Sequence, residues 1–246
     1  MKLRVLTYNI HRAIGVDRRF RLDRICQILA HYDADIVLLQ EVDEGAPRSR
    51  GMNLAAEIAA RLDYPNYALG SNHRMRRGSY GNATLSRLPL LSERNIDLTI
   101  EGRKQRGCQF TTLELRGNGE PRTLDVFNLH LGLLARERER QIGILVHCGE
   151  FPGLDGDRPC LVAGDFNDWR SRIRPIFTEV FRFGSATDLR SRWNSAMSTY
   201  PSFSPRAPLD RIYYRGLVLE GARRCRLPIS RVASDHLPVI ADFETS

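Results

Sequence analysis

The stretch Leu161-Val162-Ala163-Gly164-Asp165-Phe166-Asn167-Asp168 carries the first decision about this chain. Its apolar run reads as a short buried strand that stops at a glycine and then presents an acid, an amide and another acid. Gly164 has no Cβ, so the backbone turns there or another segment approaches closely. Asp165 and Asn167 stand two apart and share a face on extended backbone. A carboxylate accepts a proton or orients a water, and a carboxamide donates a hydrogen bond to an oxyanion. The plainer alternative is a strand followed by an Asx turn, which the same residues favour for local reasons.

Working outward, other strands end in the same way. Residues 3–10 read as a first strand closed by Asn9. Residues 35–41 form a continuous apolar run closed by Gln40 and Glu41, and a run of that kind is covered on both faces. Residues 66–69 and 80–86 read as strands around the basic loop His73-Arg74-Met75-Arg76-Arg77-Gly78. Residues 108–115 and 123–130 read as a hairpin about Asn118-Gly119, a strong tight-turn signal, and the second strand ends in Asn128-Leu129-His130. Strands are expected again at 160–164, 210–214 and 237–243. Apolar residues at helical spacing predict one helix through Leu22, Ile25, Cys26 and Leu29 and a second through Leu54, Ile58 and Leu62. A third is predicted over 136–147 with Leu134, Ile142, Leu145 and Val146 inward, and a fourth over 172–181. A Ser- and Pro-rich loop covers 191–208.

The chain has 246 residues, with 42% apolar and 27% charged residues, as in a soluble globular protein. No linker, repeat or low-complexity block divides it, so one domain over 1–246 is expected. No segment approaches the run of about 18 apolar residues that a membrane helix needs. The N-terminus reads as a strand and not as a signal peptide. The five cysteines are odd in number and scattered, with no Cys-x-x-Cys pair. Free buried thiols in a reducing cytoplasm fit this best, and a thiolate zinc site does not. The formal net charge is +8, and all but Lys2 and Lys104 of the 37 basic residues are arginines. Phosphate recognition would explain that bias, because a guanidinium grips phosphate bidentately. An arginine-rich codon usage would explain it equally.

Taken together, the polar positions are hard oxygen donors plus histidines, which favour Mg²⁺ or Mn²⁺ over zinc. There is no Gly-x-Ser-x-Gly elbow and no Gly-x-x-x-x-Gly-Lys-Ser/Thr loop. Carboxylates for a metal, amides for an oxyanion and His–Asp pairs for proton transfer are the kit for hydrolysing a phosphate ester.

The ordered series Thr7-Tyr8-Asn9, Leu39-Gln40-Glu41-Val42, Gly81-Asn82, Asn128-Leu129-His130, Gly164-Asp165-Phe166-Asn167, Leu209-Asp210-Arg211-Ile212 and Ser234-Asp235-His236 resembles the endonuclease/exonuclease/phosphatase superfamily, the DNase I-like fold. Each motif alone is weak; seven in this order, from residue 7 to residue 238, are specific. The resemblance implies an α/β four-layer sandwich, two mixed sheets face to face with helices on both outer faces. It also implies a divalent-metal-dependent phosphodiesterase. By the same resemblance Glu41 would be the main metal ligand with Asn9 beside it, and Asp235 would lie near the same or a second metal. Asp165 would orient or deprotonate the attacking water, and Asn167 would bind the phosphate. His236, held by Asp210, would stabilise or protonate the phosphoryl oxygens. His130 would contact the phosphate or assist the leaving group. Asn82 and Arg106 would contact phosphate or scaffold.

Asn128-Leu129-His130 looks like the DNase I and sphingomyelinase side of the superfamily, not its abasic-site endonucleases. Pro208-Leu209-Asp210-Arg211 lacks the Trp-Cys-Asp-Arg of inositol 5-phosphatases. A nuclease acting as a monomer on DNA or RNA is the leading expectation. The alternatives are a phospholipid, sphingomyelin or inositol-phosphate esterase touching a membrane surface, and a non-catalytic binding protein. Basic runs at 73–77, 103–106 and 170–174 would meet phosphates or would simply be solvated. No aromatic segment interleaves them, so stacking on bases is not indicated.

Overall fold

The computed structural model describes residues 1–115, 122–151, 158–188 and 196–245. In chain order the strands are β1 (Lys2–Asn9), β2 (Ile36–Glu44), β3 (Asn66–Arg74), β4 (Ser79–Ser86), β5 (Leu90–Asp97), β6 (Gly107–Leu115), β7 (Arg122–His130), β8 (Cys160–Asp165), β9 (Gly184–Ser185), β10 (Asp210–Arg215), β11 (Val218–Arg224) and β12 (Val239–Glu244). The α-helices are α1 (Leu22–Tyr32), α2 (Leu54–Arg61), α3 (Ala135–His147) and the short α4 (Ser230–Ala233). The strands make two six-stranded sheets, ordered β11-β12-β1-β2-β4-β3 and β5-β6-β7-β8-β10-β9.

Each sheet is antiparallel except for one parallel pair, β1 with β2 in the first and β7 with β8 in the second. Parallel strands buried on both faces read as unbroken apolar runs, which is why 35–41 and 161–163 stood out in the sequence. Between the sheets lies an apolar layer from both, including Val5, Ile36, Leu38, Val126, Leu161 and Ile212. On the outer face of the first sheet, Ile25 and Leu29 of α1 and Ile58 of α2 pack against Leu6, Val37 and Leu85. On the outer face of the second, Ile142 and Leu145 of α3 pack with Phe127, Val162 and Tyr213. This is the expected four-layer, DNase I-like sandwich.

Several local expectations change. β2 does not end at Glu41 but runs on to Glu44 through a bulge between Leu39 and Val42, where Glu41 takes a φ of 54°. Residues 172–181 do not form a helix of that length. Pro175 has no N–H to continue a helix from its N-terminal side, and only a single π turn, Ile176–Val180, forms after it. Leu134 does not point inward: it precedes α3 and is exposed, while Ile142 and Leu145 are buried and Val146 is partly so. His73 and Arg74 lie in β3 and not in the loop. The hairpin expectation holds in the antiparallel pairing of β6 with β7, but its turn, 116–121, falls outside the described residues, as do 191–195 of the expected loop. Strands β5, β9 and β11 and helix α4 were not expected.

Toward one end of the sandwich the apolar filling gives way to amides. Asn128 is fully buried and donates from Nδ2 to the carbonyls of Ala83 (2.9 Å) and Leu39 (3.2 Å) on the opposite sheet. Its Oδ1 accepts from Gln40 Nε2 at 2.7 Å. Asn82 crosses the other way, donating to the carbonyls of Gly107 and Asn128, both at 3.0 Å. Removing Asn128 leaves buried polar groups on the facing sheet without partners, and each such group costs about 1–3 kcal/mol. Asn128→Ala is expected to destabilise the fold by about 2–4 kcal/mol, read as a shifted urea midpoint at unchanged slope. A loss below about 0.5 kcal/mol would mean that the sheets are not locked by this amide.

Candidate functional site

The two parallel pairs deliver their carboxyl ends to one place. In the first sheet Asn9 is level with Gln40, next to Glu41; in the second His130 is level with Asp165. The antiparallel neighbours begin there: Asp210 opens β10 opposite Asp165, and His236 lies just before β12. Polar groups at strand ends are held by the core beneath and are free to face a ligand above. Gly164 permits the close approach, since a Cβ there would lie 2.0 Å from the Leu129 carbonyl oxygen on β7.

Asp165 is the hub. Its Oδ2 accepts from Asn9 Nδ2 at 3.0 Å, across the two sheets. Its Oδ1 accepts from the Asn167 amide at 2.9 Å. His130 Nε2 lies 3.4 Å and His236 Nε2 3.7 Å from Oδ2. His236 Nδ1 donates to Asp210 Oδ2 at 2.9 Å. Arg106 Nη1 donates to His130 Nδ1 at 3.3 Å, which places the neutral imidazole's proton on Nε2, facing Asp165.

Burial and charge set the two histidines apart. Burial disfavours the His236 imidazolium, but the charges of Asp210 and then Asp165, with the Asp210 hydrogen bond, outweigh it and lift its pKa to about 10. Burial, reinforced by the cations Arg106 and His236, holds His130 well below the ordinary range. Burial raises Asp165 to about 6, with Asp210 adding to it, while His236, Asn9 and the Asn167 amide pull it down. The two imidazoles are thus pushed in opposite directions, His236 toward its charged form and His130 toward its neutral form.

The other expected residues surround this hub. Glu41 sits on its bulge with Oε2 3.2 Å from Arg12 Nε, yet these two buried atoms are misaligned for a hydrogen bond and have no other partner. A carboxylate held by a misaligned ion pair on a left-handed residue is a strained arrangement of the kind that collects at ligand sites. Asp235 is half-buried; its neighbour Ser234 donates to the Asn9 carbonyl at 2.7 Å, which ties the His236 segment to β1. Asn167, at φ 49°, donates from Nδ2 to the Leu131 carbonyl. Asn82 has both amide hydrogens on backbone carbonyls, which makes it a tie between the sheets. Asp165, Asp210 and His236 have donor atoms within 4.8 Å of one another. In the structure His236 Nδ1 is engaged by Asp210 Oδ2 at 2.9 Å and its Nε2 faces Asp165 Oδ2 at 3.7 Å. Glu41, Asn9 and Asp235, the expected ligands, offer oxygen donors of the kind a hard divalent cation takes, and Asn9 Oδ1 accepts from the His11 amide at 3.0 Å.

Sequence reading missed Arg12, the cation at Glu41. Its only signal is its place three residues beyond Asn9. It also missed the arginines behind the site. Buried Arg138 donates to the Gly132 and Leu133 carbonyls after β7. Fully buried Arg211 donates to Ser171 Oγ after β8. Some of the arginine bias thus serves internal ties.

A two-sheet sandwich with acids, amides and histidines at the paired strand ends defines a class of phosphoester hydrolases. The chain belongs to the Endonuclease/Exonuclease/phosphatase family, whose model matches residues 6–236. It is 32% identical over 255 residues to the uncharacterized protein YbhP of Escherichia coli strain K12, covering 98% of this chain and 95% of YbhP. The fold is similar to the endonuclease/exonuclease/phosphatase of Beutenbergia cavernae, at a TM-score of 0.79 and 20% identity over 100% of this chain and 72% of that one. It is also similar to D. rerio TDP2 complexed with single-strand DNA product, at a TM-score of 0.75 and 18% identity over 99% of each chain.

Proposed function

We propose that this chain is a divalent-metal-dependent phosphodiesterase of nuclease type, acting as one domain and as a monomer. The observation that carries the reading is the buried His236 held between Asp210 and Asp165 at the strand ends that also carry Asn9 and Glu41. Glu41, Asn9 and Asp235 would hold Mg²⁺ or Mn²⁺, which would supply positive charge to the phosphoryl oxygens. Asp165 accepts the proton of the attacking water, held in orientation by Asn9 and the Asn167 amide. His236, fixed by Asp210, donates from Nε2 to a phosphoryl oxygen. His130, its proton directed by Arg106, assists the leaving group. Asn167 has a second amide hydrogen for the phosphate, and Arg12 supplies a further cation. Asn82 belongs to the scaffold in this reading. The single-strand DNA held by the D. rerio neighbour supports a nucleic-acid substrate, as does the net charge of +8. Five free thiols fit a reducing compartment such as the cytoplasm.

A second reading rests on the rim. Leu133, Leu134, Trp169 and Phe203 are 67%, 49%, 53% and 64% exposed on loops around the site. Apolar tips among arginines suit an anionic membrane surface, and the substrate would then be a phospholipid headgroup. No helix among the described residues is long and apolar enough to cross a membrane.

A side-by-side assay separates these. With Mg²⁺ or Mn²⁺ the protein is expected to hydrolyse bis-p-nitrophenyl phosphate and to cut plasmid DNA, and to lose both activities with chelator and in Glu41→Ala. Hydrolysis of phospholipid vesicles with intact plasmid would reverse the choice of substrate. No hydrolysis of any phosphoester would end the enzyme reading.

A further inference from the structure

Two aromatic side chains from distant parts of the sequence meet beside His236. The Tyr200 ring lies 5.1 Å from the imidazole, and the Trp169 indole contacts Tyr200 edge to face at 5.6 Å. No aromatic-rich segment interleaves the basic runs, so base stacking was not expected; Trp169 stands alone before the run 170–174, and the fold brings Tyr200 to it. The indole is exposed, yet its loop is pinned: Ser171 is bonded to the Asp168 carbonyl and to Arg211, and Asp168 accepts from the Ile173 amide at 2.8 Å. Tyr200 is held by backbone bonds to Ala207, and its neighbour Thr199 by one from Leu237. An exposed tryptophan on a rigid loop, one ring away from a proton donor, serves neither the core nor the chemistry described above.

We propose that Trp169 and Tyr200 form a stacking subsite for a nucleobase of the substrate, adjoining the phosphoryl position at His236. The proposal rests on the nuclease reading and extends it. A nucleotide carries an anionic phosphodiester on one side of its sugar and a flat π face on the other. The site offers the matching pair, the His236 imidazole and arginines for the first and an aromatic shelf for the second. Exposed Arg170 and Arg172, on either side of the pinned Ser171, place positive charge where the next phosphates would run. Stacking of this kind is tolerant of base identity, since every base has a π face. A phospholipid headgroup has no such face.

The test uses the full chain with Mg²⁺ and two substrates of equal length, a short oligothymidylate and the same sugar–phosphate chain without bases. Trp169→Ala is expected to raise KM on oligothymidylate about tenfold, with kcat little changed, and to leave KM on the base-free chain unchanged. Trp169→Phe keeps an aromatic face and is expected to restore most of the loss. Binding of oligothymidylate in the inactive Asp165→Asn background is expected to quench tryptophan emission, and the base-free chain is not. An equal rise in KM on both substrates, or no rise on either, overturns the subsite while leaving the nuclease reading in place. Wild-type protein that ignores both oligomers and hydrolyses phospholipid vesicles overturns the nuclease reading and the subsite with it.

Discussion

Asp165→Asn is expected to lower hydrolysis of bis-p-nitrophenyl phosphate about a thousandfold, the scale of losing a positioned proton acceptor. The substitution keeps shape and volume, so a cooperative thermal transition should survive. What changes is the pattern of donors. Asp165 Oδ2 now accepts from Asn9 and faces the Nε2 atoms of both histidines. An asparagine amide turned that way meets donors with a donor, and turned the other way it still has no charge to draw a proton from water. His236 would also lose one of its counter-charges, which are Asp210, Asp165 and Asp235. A variant retaining a tenth or more of wild-type kcat would remove Asp165 from the chemistry.

Asp210→Asn is the second large effect, and its signature is in the pH dependence. Asp210 is fully buried, and after the opposing effect of burial its charge is the main reason that His236 stays protonated to about pH 10. Without it, burial would draw the imidazole toward or below its ordinary value of about 6.5. His236 would then lose its proton through neutrality, and activity would fall more steeply at pH 8 than at pH 6. We expect a loss of about a thousandfold at pH 8 and a distinctly smaller one at pH 6. A pH-independent loss would assign Asp210 to packing alone. Stability carries the same sign. The folded pKa of His236 lies above its unfolded value, so its contribution is fully present below about pH 6.5 and is lost as pH rises toward 10. Urea midpoints measured across that window should decline in the wild type and decline less in Asp210→Asn.

These expectations rest on residues that the sequence already exposed, for a physical reason. A buried parallel strand must be apolar along its length, so the first polar residue after it is conspicuous. Asn9, Glu41, His130 and Asp165 were legible in that way. The alternation that marks ordinary strands was absent from β5, whose middle residues are nearly all exposed, and from β11, an edge strand with a bulge between Leu219 and Gly221. Residues 172–181 carried a helical spacing of apolar side chains that Pro175 interrupts. Arg12, Trp169 and Tyr200 were invisible for another reason. Their meaning lies in what the fold sets beside them, Glu41 for the first and His236 for the others, and no local pattern encodes a neighbour in another loop.

The strand order of the first sheet has a consequence for how the chain matures. β1 lies between β2 and β12, so the earliest described strand is flanked by the latest. During synthesis that sheet stays open along one side of β1 until residues 239–244 have emerged. His236 arrives only with that final strand, after Asn9, Asp165 and Asp210 are already in the chain. Pairing over so long a separation is slow to close. A nascent chain short of β12 therefore carries Asn9, Glu41, Asp165 and Asp210 without Asp235 and His236 docked beside them, and on the proposed reading hydrolytic competence would wait for that closure.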